Sequence, residues 1–411
     1  MQLTEKQSKH NFFAFLWHTA FLALASSFMD VDTIIPSMLI KAGGTPIHLG
    51  ILTAIMLGGA MLFQLIFASY LSNKNYKKSS LVLAINLRVL SLLSLAFLFF
   101  KSTTLSGDMV IFLIFIFISI FSFSGSFANV SYVDILGKSV LQRLRKKFFS
   151  SQQIVSSTGI FISALIVRKL IKYYEYPINY SVLFLIAGIL LFIATAGFWS
   201  LKEPESRVEK KSSLWQFFAM IPSEIRKNKN LKYYLLIINS MGLGLSILPF
   251  IILYAKENFG LTFEMIGNFL LFRTLGMLIA SLVLFKFSER LQYKTLLRFC
   301  LILGSAIPLI SLAFSNNMVL YQFIFILSGM FVAIYKVSIN GVLLEISNND
   351  NRAIYTGISG AGSILTALFP LFAGVLISAF GFHFVFIGVV ILILSSYIFT
   401  TRIDCRHSIS E

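Results

Sequence analysis

The chain has 411 residues, 57% hydrophobic and only 12% charged, with a formal net charge of +17. That composition excludes a water-soluble domain, which would have to expose large apolar patches. The basic residues fall in short loops between apolar runs, so their excess speaks for membrane orientation and not for nucleic-acid binding.

Two cysteines, Cys300 and Cys405, are too few for a disulfide framework, and there is no CxxC, HExxH or Walker-type glycine loop. No cofactor, metal site or ATP-driven step is expected. An intramembrane enzyme would need a nucleophile–base set or metal ligands at depth, and no such cluster stands in the sequence. His18 and His383 lie within spans without a second ligand at metal spacing. The many phenylalanines read as lipid-facing bulk.

A membrane span needs about 20 mostly apolar residues. Such runs occur at roughly 12–40, 48–72, 79–100, 109–136, 151–172 and 181–200, then 233–255, 264–285, 295–314, 319–344, 354–379 and 382–400. The chain therefore reads as an all-α polytopic membrane protein of twelve transmembrane helices in two pseudo-symmetric six-helix bundles, 1–200 and 233–411. The first run could pass for a signal peptide, with Ala23-Leu24-Ala25 imitating a cleavage site, but it has a counterpart in the second half and belongs to the mature fold.

Between the bundles, 201–232 carries eight Lys/Arg and four Glu. It reads as a solvated connector with an amphipathic stretch at Leu214–Ile225 along the membrane surface, suited to anionic lipid headgroups. Loops on the side of the N-terminus hold 24 cations and the opposite loops six, so both termini are expected to be cytoplasmic. Compact loops suggest a bacterial inner membrane, and a monomer is expected.

The halves share an order of landmarks: Pro36 with Pro249, Gly50 with Gly267, Ser124-Gly125 with Ser328-Gly329, and Arg145 with Arg352. Parallel repeats of this kind place a substrate site between them in many transporters.

The loop between spans 2 and 3 reads Ser69-Tyr-Leu71-Ser-Asn73-Lys74-Asn-Tyr76-Lys77-Lys78-Ser-Ser-Leu81. It resembles, in register, the G-x-L-x-D-R-x-G-R-R-x-x-L signature of the major facilitator superfamily. The basic residues and both leucines stand; the glycines and the acid are replaced by Ser69, Tyr76 and Asn73. The repeat loop keeps an acid–arginine pair, Glu289-Arg290. The resemblance implies a gating role for Lys74, Lys77, Lys78, Glu289 and Arg290. Asp134-Ile-Leu-Gly137-Lys138 followed by Phe148-Phe149-Ser-Ser-Gln152-Gln153 is similar to a bacterial branch of such permeases with no substrate to carry over. Span 5 lacks the glycine-proline signature that the resemblance associates with drug–proton antiport.

The resemblance also implies that spans 1, 4, 7 and 10 line a central cavity. Polar and small residues at helical spacing support this: Ser26/Ser27, Asp30, Thr33 and Ser37; Ser122, Gly125 and Asn129; Asn239, Gly242 and Ser246; Gly329, Ala333, Lys336 and Asn340. Asp30 is the first candidate for proton coupling, because a carboxylate at membrane depth costs about 3 kcal/mol and tends to pair, bind a cation or take up a proton. Asp32, about 200° around a continuous helix from it, is the second. Hydration near the outer mouth, pairing with Lys41 and a bound metal cation are the alternatives. Pro36 removes the helical donor for the Asp32 carbonyl and loosens the helix there.

Lys336 and Arg273 are candidates for an anionic substrate group, or for an internal ion pair such as Lys336 with Asp30. Asn129, Asn239 and Asn340 are further substrate-binding candidates. Gln64, Asn268 and Gln322 are as suited to interhelix bonds as to a ligand. Arg88 and Arg298, on spans the resemblance makes peripheral, are expected to snorkel or to pair structurally. Asp134 and Glu345 are expected to pair with loop cations.

These readings converge on a secondary transporter of a small solute, proton-coupled and tilted towards an anionic or zwitterionic metabolite. Export of small organic compounds, and a non-transporting sensor or scaffold on the same fold, are the alternatives.

Overall fold

The computed structural model describes residues 4–59, 67, 70, 71, 74–205, 222–286, 292–347, 355, 358–360 and 362–404. The expected amphipathic stretch of the connector lies mostly outside them, as do Glu289 and Arg290. Among the described residues the regular elements are all helical. Ten of them are long and apolar enough to cross a membrane, and a shorter apolar helix covers Pro46–Gly59. The last of the ten, Ile358–Arg402, breaks at Gly381, where φ is +79°. Counting its two parts and the short helix gives twelve spans, and the break falls in the gap between the eleventh and twelfth apolar runs.

We label the helices α1 (Glu5–Ser26), α2 (Ile34–Lys41), α3 (Pro46–Thr53), α4 (Lys78–Lys101), α5 (Gly107–Ser139), α6 (Gln142–Tyr173) and α7 (Ile178–Trp199). The second half holds α8 (Lys229–Ser246), α9 (Leu248–Phe259), α10 (Phe263–Lys286), α11 (Tyr293–Ala313), α12 (Met318–Ile346) and α13 (Ile364–Arg402). Side-chain caps start several of them: Thr4 accepts from Gln7 N, Thr45 from His48 N, Ser106 from Met109 N and Asn317 from Leu320 N.

The helices form two compact units, Met1–Gly43 with Leu62–Lys211, and Gly44–Met61 with Ser212–Glu411. In the first, α4 packs on α5 and α7, and α1 on α6 and α7. In the second, α10 packs on α12, α8 and α11 on α13, and α3 on α13. Glycines explain why α3, from the second apolar run, packs there: a Cβ on Gly50 would meet Pro370 O, one on Gly58 would meet Ala367, and one on Gly374 would meet Pro46 O. Bare backbone lets the two helices touch along their length.

The cores correct one expectation. Phe15, Phe99, Phe148, Phe184, Phe250, Phe269 and Phe331 are fully buried, and Phe269 stacks on Phe325 at 4.0 Å. Phenylalanine here packs helix to helix as well as facing outward, because ring faces fill the gaps between apolar helices that lipid cannot enter.

Each unit carries the same pair of fastenings. Asn11 donates from Nδ2 to Lys202 O and accepts from Lys202 N at Oδ1, at 2.9 and 2.8 Å; Asn230 does the same with Asp404 at 3.1 and 3.0 Å. Lys78 Nζ caps the end of α7 at Trp199 O and Leu201 O, and Lys294 Nζ caps the end of α13 at Thr401 O and Ile403 O. These equivalences extend the repeat beyond the landmarks legible in the sequence.

Candidate functional site

The first span is broken where its acids stand. α1 ends at Ser26, a 3₁₀ turn covers Ser27–Met29, and α2 restarts at Ile34. Pro36 leaves the Asp32 carbonyl without its helical donor. Asp30 Oδ1 fills the break by accepting from Asp32 N at 3.1 Å and Thr33 Oγ1 at 2.8 Å. Both aspartates are half-buried.

The break corrects the expectation that Ser26, Asp30, Thr33 and Ser37 share one helical face and that Asp32 points the opposite way. Ser27 instead donates to Ile160 O and accepts from Ser163 Oγ, and Ser37 accepts from Tyr180 Oη. These serines fasten the break to α6 and α7.

At the end of the first unit expected to be cytoplasmic lies an ionic cluster. Lys77 Nζ is 2.7 Å from Asp134 Oδ1, and Lys138 Nζ is 2.7 Å from Glu203 Oε1 and 3.3 Å from Asp134 Oδ2. The Glu203 carboxylate also accepts the backbone N–H groups of Lys77 and Lys78, both at 2.7 Å. It thereby caps α4, whose start has no side-chain cap of its own. Only 3% of the Glu203 side chain is exposed, the most sealed member of the cluster.

Of the expected gating residues, Lys77 and Lys78 belong to this cluster, while Lys74 lies over the Tyr70 ring at 4.5 Å. Asp134 pairs with cations as expected. Glu345 shows no such pair among the described residues, and its Oε2 is buried with no hydrogen-bond partner. Glu203 was not singled out from the sequence; the signal available was an acid placed directly after the sixth span.

The substrate candidates divide. Lys336 and Asn340 are exposed, one turn apart on α12, and Asn129 is exposed on α5. Arg273 is buried on α10, where a Cβ on Gly329 would strike its carbonyl oxygen. Asn239 holds the start of α13, donating to Leu235 O and Gly362 O and accepting from Leu365 N. Asn268 donates to Gln322 Oε1 at 2.7 Å, joining α10 to α12. His18 bonds Ala194 O and stacks on Phe198, a packing role. Arg88 does not snorkel, and among the described residues it forms no ion pair. Its guanidinium lies 4.2 Å over the Phe121 ring, because it leaves α4 on the buried face, and it passes beside Gly125 of α5.

Ten described helices long and apolar enough to cross a membrane and a shorter apolar one, with polar side chains at depth and a charged cluster at one end of the first unit, make this a polytopic membrane protein. The model of the Major Facilitator Superfamily matches residues 16–247 and 233–404, and the chain belongs to that family. Among solved structures it is similar to a bacterial homolog of the human lysosomal transporter Spinster in an inward-facing, unoccupied conformation, with TM-score 0.67, 11% identity and 97% of each chain covered. It is also similar to the nucleoside transporter NupG, with TM-score 0.69, 13% identity, and 96% of this chain and 100% of that one covered. A POT family transporter in complex with a thioalcohol-conjugated peptide gives TM-score 0.66, 13% identity and 96% coverage of each chain. No curated protein sequence matches the chain.

Proposed function

We propose that the protein is a secondary active transporter that moves a small solute by alternating access, driven by the proton gradient through Asp30, with Asp32 as the second carboxylate. The observation that carries this reading is the break in the first span. A half-buried carboxylate there is held by two hydrogen bonds from its own turn. A bond to the carboxylate that strengthens or weakens with its charge couples a protonation event to the local backbone. About 27 Å of helical rise separates Phe12 from Asp30, so the group lies towards the outer end of the span, where it can exchange protons with the outer solution.

Lys336, Asn340, Asn129 and Arg273 supply polar and cationic groups for an anionic or zwitterionic metabolite. Asn239 contributes by holding α13. Lys77, Lys78 and their acidic partners form the inner gate, with Lys74, Glu289 and Arg290 assigned to it by the family signature. The protein works as a monomer in a bacterial inner membrane, both termini in the cytoplasm, with the connector against anionic lipid.

The test is solute-driven proton movement in sealed proteoliposomes bearing wild type or Asp30→Asn, with organic anions, amino acids, sugars and peptides as the panel. Asparagine keeps the Oδ1 acceptor for Asp32 and Thr33, so the turn survives while the proton site is lost. The expected outcome is a substrate-dependent pH change in wild type that falls at least about tenfold in Asp30→Asn. Equal signals in the two proteins would move coupling away from Asp30.

A further inference from the structure

Arg88 stands on α4 ten residues after Lys78 and thirteen before Lys101, about 15 and 20 Å of helical rise from the two ends. That is beyond the reach of snorkelling within a hydrocarbon layer of about 30 Å. Its direction is inward. The exposed stripe of α4 carries Leu83, Leu87, Leu90 and Phe97, whereas Arg88 lies about 140° around from Leu83, beside the buried Leu81, Leu92, Leu95 and Phe99.

Three observations describe what the guanidinium meets. It lies over the Phe121 ring of α5 at 4.2 Å. It crosses α5 at Gly125, where an added Cβ would stand 3.5 Å from Nε and 3.6 Å from Cζ. His18 of α1 is near enough to interact with it electrostatically. None of these accepts a charged hydrogen bond. Nε is buried with no partner, and no carboxylate or carbonyl of a described residue accepts from the side chain.

An arginine at this depth loses more hydration than one aromatic face returns. Fully apolar helices would pack here without it. A planar donor set whose Nε has no partner among the described residues matches the oxygens of a carboxylate or phosphate.

We propose that Arg88 is a substrate-binding residue of the first unit, receiving the anionic group of the transported solute as a carboxylate or phosphate. This rests on the transporter reading and names its substrate class; it adds a cation that the family signature does not assign.

Thermal unfolding of the purified full-length protein in detergent tests it. Wild type, Arg88→Met and Arg88→Lys are compared alone and with succinate, glutamate and glycerol 3-phosphate, with glycerol and sorbitol as neutral controls. Without ligand, Arg88→Met is expected to melt a few degrees above wild type, because an unpaired buried charge is replaced by an apolar chain of similar length. At least one anion, and neither neutral solute, raises the wild-type midpoint. That shift disappears in Arg88→Met and survives in reduced form in Arg88→Lys.

A lower ligand-free midpoint for Arg88→Met would make the guanidinium structural and overturn the proposal. So would an anion shift undiminished in Arg88→Met, or the lack of any anion shift in wild type. Solute flux through proteoliposomes is measured in parallel. Flux of a neutral solute undiminished in Arg88→Met overturns the anion site and leaves the transporter reading standing. The lack of flux in wild type, with the anion shifts as expected, sinks the transporter reading and leaves Arg88 as an anion site.

Discussion

Glu203 receives three hydrogen bonds on two oxygens: Lys138 Nζ and Lys77 N–H on Oε1, and Lys78 N–H on Oε2. Glutamine at this position keeps one accepting oxygen and turns an amide donor towards groups that are themselves donors. With the side chain sealed, the unmet donors and the stranded Lys138 should cost about 2–4 kcal/mol. Glu205, exposed and accepting from Asn75 Nδ2 at 2.9 Å, is the control. Glu205→Gln should stay within about 0.5 kcal/mol of wild type. Tryptophan fluorescence during thermal unfolding in detergent should show a midpoint several degrees lower for Glu203→Gln alone; equal shifts would mean that the cap contributes nothing. The sequence showed two lysines of this cluster, because Lys77 and Lys78 lie together in the signature loop. It hid the acid that answers them, because Glu203 is 125 and 126 residues from the backbone groups that it caps. Local spacing carries no information over that distance.

Between elements, the closest approach in the second unit is α10 against α12. A Cβ on Gly276 would strike Ile326 O, and one on Gly329 would strike Arg273 O. Backbone cannot retreat as a flexible side chain can, so Gly329→Val must separate the helices. The separation would also stretch the Asn268–Gln322 bond that joins them. A loss of about 3 kcal/mol or more is expected. Gly388→Ala, within α13 where an added Cβ meets nothing within 4 Å, should be neutral or gain about 0.5 kcal/mol from its helix propensity. Unfolding midpoints that fall equally in both variants would refute the close-packing account. The sequence paired Ser124-Gly125 with Ser328-Gly329, and the glycines do occupy matching helices. Their surroundings differ, since a Cβ on Gly125 would stand at ordinary contact distance from the Arg88 side chain and one on Gly329 would strike a neighbouring backbone. Residue type told that something approaches closely, not what. The break at Gly381 was legible as a short gap in apolarity. The break at Asp30 was not, because Ser27–Thr33 lies within a continuous apolar run and Pro36 signalled only a loosening of the turn before it.

At the scale of the molecule, the strongest sequence signal is the distribution of charge. Of the loop cations, 24 fall on the side of the N-terminus and six on the other. Each basic residue near an anionic leaflet is worth about 1 kcal/mol, so the imbalance favours one orientation far beyond thermal energy. Cations that also bond within the fold, such as Lys78 on the end of α7 and Lys294 on the end of α13, keep the same bias, since they sit at equivalent ends of the two units. Topology reporters test the orientation from both sides. A green fluorescent protein fused after Glu411 should fluoresce, and alkaline phosphatase there should be inactive. Phosphatase inserted at the exposed Ser102–Thr104 turn between α4 and α5 should be active. The reverse pattern at both positions would invert the protein. It would also move the Lys77–Asp134–Lys138–Glu203 cluster to the outer face and bring Asp30 towards the cytoplasm, where a proton-driven importer would have its release side.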